Sequence, residues 1–110
     1  MGLSLTITNN ADVAAGTLSC VVLVDGEVDV SNADQLRDAL DGRLAAGASE
    51  LVADLSRTPY IDSTGIGVLV GVAHRASEAG VRFSVARPQK NVARVLGLLG
   101  VSGELNIREA

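Results

Sequence analysis

ELVADLSRTPYIDSTGIGVLVGVAHRASEAG, residues 50–80, contains the change of period that decides the fold. ELVADLS at its start is a short apolar run of strand length, ended by polar residues and Pro59. From about residue 64 to 79 a longer apolar run reads as a buried helix, and Gly80 supplies its stop. A strand feeding a helix in this way is half of a parallel crossover unit. At the junction stand Asp62, Ser63, Thr64 and Gly65. Asp and Ser cap helices by accepting free N–H bonds, and an acid there complements the helix dipole. Capping needs only one such residue, yet three polar side chains precede Ile66. The junction therefore either caps the helix or also offers a hydroxyl to a partner.

The same reading extends to both sides. Leu3, Leu5 and Ile7 alternate with Ser4 and Thr6, the period of a strand with one buried face; residues 9–16 read as a polar turn. TLSCVVLVDG (17–26) is a second strand, apolar nearly throughout at Leu18 to Val24, as in a strand covered on both faces. Val28 and Val30 are spaced for a very short strand. Ser31, with Asp34 three residues on, predicts the cap of a helix carrying Leu36, Ala39, Leu40 and Leu44, which Gly47 ends. VRFSVA (81–86) alternates again, Pro88 marks the next start, and Val92, Val95, Leu96 and Leu99 make a third helix ending at Gly100. The tail ELNIREA reads as a short edge strand or a frayed end. Residues 1–110 are thus expected to form a single α/β domain, a small mixed β-sheet packed against helices.

Composition narrows the function. Tyr60 and Phe83 are the only aromatics and the formal net charge is −4, so neither stacking platforms nor a basic stripe serve nucleic acid. The lone cysteine, Cys20, lies in an apolar strand and is expected to pack, and it excludes an intrachain disulfide. No signal peptide or membrane-length apolar run is visible, which predicts a cytoplasmic protein. A phosphate-cradling G-x-x-x-x-G-K-[ST] loop is absent, and GIG at 65–67 lacks the full dinucleotide pattern. Ser63 lies outside a G-x-S-x-G elbow, and the only histidine, His74, falls about 16 Å further along a regular helix. A receiver domain would need an early acidic pair and a late strand lysine; Asp54 ends a strand, but the only lysine is Lys90. No spacing argues for a metal, no cofactor is expected, and the chain does not read as an enzyme.

The second helix is rich in glycine, which weakens an isolated helix. Gly67 and Gly71, one turn apart, suit either a partner's close approach or tight packing on the chain's own sheet.

GEVDV (26–30), LVADLS (51–56), YIDSTGIGVLV (60–70) and VARVLGLLGV (92–101), in that order, resemble the anti-sigma factor antagonists of the STAS domain family. The resemblance covers nearly the whole chain and implies the family's βαβαβα order. It also implies partner switching: the unmodified protein binds an anti-sigma factor that is a serine kinase, and so releases the sigma factor. Phosphorylation by that kinase ends the binding, and a serine phosphatase restores it. Carried onto this chain, the phosphoacceptor is Ser63, with Thr64 as the second hydroxyl. The expected partner-facing residues are Asp29, Asp62, Ser63, Thr64, Gly65 and Gly67. The alternative within the fold is a STAS-type interaction subunit of a transporter or scaffold, in which the junction only caps.

Overall fold

The computed structural model describes residues 2–109. Its elements run β1 (Ser4–Asp12), β2 (Thr17–Asp25), α1 (Ala33–Ala45), β3 (Glu50–Arg57), α2 (Ser63–Glu78), β4 (Arg82–Ala86) and α3 (Lys90–Leu98). The strands form one sheet in the order β1-β2-β3-β4. A hairpin makes β1 and β2 antiparallel, while β2–β3 and β3–β4 are parallel, as their helical crossovers require. The expected small mixed sheet with packed helices is what the chain forms.

Cross-strand register sets the core. Val22 pairs with Ala53 and Ala53 with Val85; Cys20 pairs with Leu51 and Leu51 with Phe83. All six side chains are therefore on one face, and all are buried. They join Leu36 and Leu40 of α1, Leu69, Val72 and Ala76 of α2, and Val92 and Leu96 of α3 in a single cluster. Gly80 and Gly100, both at φ +72°, turn the chain out of α2 and α3.

Three local expectations need correction. β1 continues to Asp12, so the turn is only residues 13–16. Its second half is exposed and buries almost nothing; main-chain pairing with β2 alone holds it as a strand. β2 is covered fully on one face only: Cys20, Val22 and Val24 are buried, whereas Val21 and Leu23 are half-buried on the other. Asn32, not Ser31, stands at the N-cap position of α1 and makes no side-chain cap bond, and the Ser31 hydroxyl instead donates to the Asp29 carboxylate. At the far end the tail does pair: the Val85 N–H donates to the Leu105 carbonyl (3.0 Å) and the Arg108 N–H to that of Val85 (2.8 Å).

Asp54, 5% exposed, faces away from the main core and is paired with Arg87, a non-glycine residue at φ +52°. Burial alone would raise its carboxyl, but the Ser56 N–H (2.9 Å) and the Arg87 guanidinium outweigh that and hold it below the ordinary value of 3.8. A depressed native value stabilises the fold above the unfolded carboxyl's pKa, and the contribution fades as pH falls through the native one. Acid titration of unfolding should therefore show a stability loss beginning below about pH 4 that is smaller in Arg87→Ala.

Candidate functional site

The D-S-T-G junction lies where β3 hands the chain to α2. Past Leu23 the β2–β3 register shifts: Leu23 pairs with Asp54 but Asp25 with Arg57, so β3 holds one extra residue. Thr58 then anchors the turn from inside, its hydroxyl donating to the Val24 carbonyl at 2.8 Å. Beyond it, residues 60–62 run beside 28–30 as a two-sided main-chain zip. The Val28 N–H donates to the Tyr60 carbonyl and the Asp62 N–H to that of Val28, each at 3.0 Å, and Val28 and Ile61 form a parallel bridge. The short strand expected at Val28 exists in this one bridge; Val30 is exposed.

Asp62 is the cap of α2, its Oδ1 accepting the Gly65 N–H at 3.0 Å. Its other oxygen, Oδ2, accepts the Val30 N–H at 3.1 Å. One carboxylate thus satisfies a helix end and ties the 28–31 loop to it. Asp62→Ala should lower unfolding free energy by about 1–2 kcal/mol in a urea titration and speed amide exchange at Val30. Asp62→Asn keeps one acceptor oxygen for the Gly65 N–H but sets an amide NH2 against the Val30 N–H, so it should recover the capping part of the loss and not the protection at Val30.

Ser63 and Thr64 open α2 and are both exposed. Neither hydroxyl is held by a side-chain bond among the described residues. Asp29 belongs to the loop that Asp62 anchors, and its carboxylate accepts bonds from the Ser31 hydroxyl and, at 2.8 Å, the Ser31 N–H. Those two bonds, the hydroxyl's first, outweigh desolvation and hold the Asp29 carboxyl below its usual value, so it is anionic at neutral pH. Asp29 shares an open cleft of about 630 Å³ with Asp25 and Glu27, which gives this end an acidic rim. No group of three His, Cys, Asp or Glu among the described residues is placed to hold a metal ion.

The glycines divide. Gly65, expected among the partner-facing residues, is buried instead: a Cβ there would lie 2.7 Å from both Val28 Cγ1 and Ile61 Cγ1. Its role is to let α2 sit against the 28–30/60–62 zip. Gly67 is exposed and a Cβ there would meet nothing within 4 Å. Gly71 lies under the Arg75 guanidinium, which reaches across to Asp41 of α1 at 2.9 and 3.2 Å. Neither Gly67 nor Gly71 is among the buried residues of α2, so the stripe is not a sheet contact.

Some of the site was not read from the sequence. Asn32 is buried, its Oδ1 accepting the Asp29 N–H and its Nδ2 donating to the Glu27 carbonyl, both at 2.9 Å. The signal was present in Asp29-x-Ser31, the spacing of an Asx turn, which competes with a helix cap at Ser31. His74 is exposed near Glu104 (3.2 Å), and Cys20 is buried.

The STAS domain family matches residues 7–110. Among curated proteins, the anti-sigma-B factor antagonist of Staphylococcus aureus is 24% identical over 80% of this chain and 82% of its own length. An anti-sigma factor antagonist from Mycobacterium paratuberculosis superposes with a TM-score of 0.80 at 23% identity, over 97% of this chain and 87% of that one. The Bacillus cell fate determinant SpoIIAA in its phosphorylated form superposes with a TM-score of 0.65 at 18% identity, covering 96% and 90%. At these identities the two structures establish the shared fold. No helix of the described residues is long and apolar enough to cross a membrane.

Proposed function

The chain belongs to the STAS domain family, and from that premise we propose that it is an anti-sigma factor antagonist controlled by phosphorylation of Ser63. Unmodified, it binds an anti-sigma factor serine kinase and frees the sigma factor; phosphorylated, it lets the kinase go; a serine phosphatase resets it. It acts in the cytoplasm as a binding partner and not as an enzyme, touching neither nucleic acid nor membrane. Asp29, Asp62, Ser63, Thr64 and Gly67 face the kinase.

One observation carries this reading: Ser63 stands exposed as the first residue of α2, immediately after a cap that is already satisfied by Asp62. The helix does not need the Ser63 hydroxyl, which leaves it for another use. In the transfer, Ser63 Oγ attacks the γ-phosphorus of kinase-bound ATP. The bond to the bridging oxygen breaks, ADP leaves, and the hydroxyl proton passes to a base of the kinase. The protein supplies only the acceptor. The N-terminal end of α2 tolerates the new anion through its dipole and N–H groups. The names of the Staphylococcus and Mycobacterium relatives support the same role.

The reading is tested by displacement. Added to a preformed complex of sigma factor and anti-sigma kinase, the unmodified protein should release sigma factor stoichiometrically, and the Ser63-phosphorylated form should not. Equal release by both forms, or none by either, contradicts it.

A further inference from the structure

Two large apolar side chains stay exposed on the segments that meet at the head of α2. Val30 is 76% exposed and Tyr60, one of only two aromatics, is 50% exposed. We propose that Val30 and Tyr60 are the apolar anchors of the kinase-docking surface and seat in an apolar socket with a basic rim on the kinase. This rests on the partner-switching reading of Ser63 and adds to it the residues that hold the partner.

Three features support the assignment. The backbone under both side chains is fixed: the Val30 N–H is held by Asp62 Oδ2 and the Tyr60 carbonyl by the Val28 N–H. A β-branched valine and a two-torsion tyrosine lose little further freedom on docking, which is how a few central side chains come to dominate an interface. The position is continuous with the acceptor, since the bond from Val30 ends on the residue preceding Ser63. The surroundings are mainly acidic: Asp29 and Asp62 adjoin Val30, and Glu27 lines the cleft beside Asp29, while Asp25 is paired with Arg57 at 3.6 Å. An acidic rim around apolar anchors fits a partner of the complementary pattern. It also explains why phosphate is effective at Ser63: the anchors would draw the hydroxyl into a water-poor contact, where a dianion is costly.

The test is titration of each anti-sigma factor kinase encoded in the same genome with wild-type protein and with a Val30→Ser, Tyr60→Ser double variant. Both positions are exposed, so the variant should unfold at the wild-type midpoint. Its affinity should fall at least about thirtyfold, mainly through faster dissociation and with an unchanged salt dependence. Val13→Ser is the control: 92% exposed in the hairpin turn, at the other end of β2, it should bind as wild type does. Wild-type affinity in the double variant, or an equal loss in Val13→Ser, overturns the anchor assignment alone. Failure of the wild-type protein to bind any of the kinases overturns the partner-switching reading and the anchors with it.

Discussion

Once phosphorylated on Ser63, the protein should bind its kinase several-hundred-fold more weakly, a loss of about 3–4 kcal/mol, while unfolding at nearly the same denaturant midpoint. The two halves of this result have different causes. Phosphate adds about −1.5 to −2 charges and three acceptor oxygens. Within the protein they fall at the start of α2, where the dipole and N–H groups offset them. Across an interface they fall next to Asp62, whose carboxylate also holds the loop that carries Asp29, so repulsion and desolvation add together. Ser63→Ala should bind like the unmodified protein and accept no phosphate, and Ser63→Asp should bind weakly. Calorimetric titration of the four forms measures the affinities, a urea titration the midpoints, and mass spectrometry the phosphate. An affinity that survives phosphorylation would mean that Ser63 lies outside the interface.

Gly65→Ala should be the most damaging single methyl addition at the site, costing about 2 kcal/mol in a urea titration. The new Cβ would lie 2.7 Å from Val28 Cγ1 and from Ile61 Cγ1, and 3.0 Å from Ile61 Cδ1. Val28 is fully buried and Ile61 is 5% exposed, so neither can turn aside into solvent. The helix gains up to about 1 kcal/mol from losing a glycine, which the clash must exceed. Relief requires lifting the start of α2, which carries Ser63, off the 28–30/60–62 zip, so kinase binding should fall by more than the loss of stability explains. Gly67→Ala, two residues on and in open space, should instead stabilise the fold by up to about 1 kcal/mol. If both alanines raise stability, Gly65 is not a packing requirement.

The order of elements was legible because each one carries its own period. Leu36 and Leu40 mark a helix, Phe83 and Val85 a strand, and Gly80 and Gly100 the stops, with no tertiary knowledge needed. The junction stood out for a similar reason, three polar side chains at the head of an apolar run, but the choice of Ser63 within it rests on the family resemblance. Features fixed by long-range main-chain pairing were not legible. The second half of β1 is polar and exposed, and only its register opposite β2 makes it a strand. The zip of 28–30 against 60–62 joins segments some thirty residues apart, so neither the Asp62–Val30 bond nor the burial of Gly65 leaves a local mark. Ser31 does not cap α1 because the Asx turn at Asp29 claims it first, and the helix starts after Asn32 with no side-chain cap bond.

The central claim is that Ser63 is the regulated hydroxyl. It is tested most directly by incubating the protein with its anti-sigma factor kinase and ATP and locating the phosphate by mass spectrometry. The account predicts one phosphate per chain, on Ser63, and none on Ser63→Ala. Undiminished phosphorylation of Ser63→Ala at a site other than Thr64, or a wild-type protein that accepts no phosphate while binding the kinase, would contradict it.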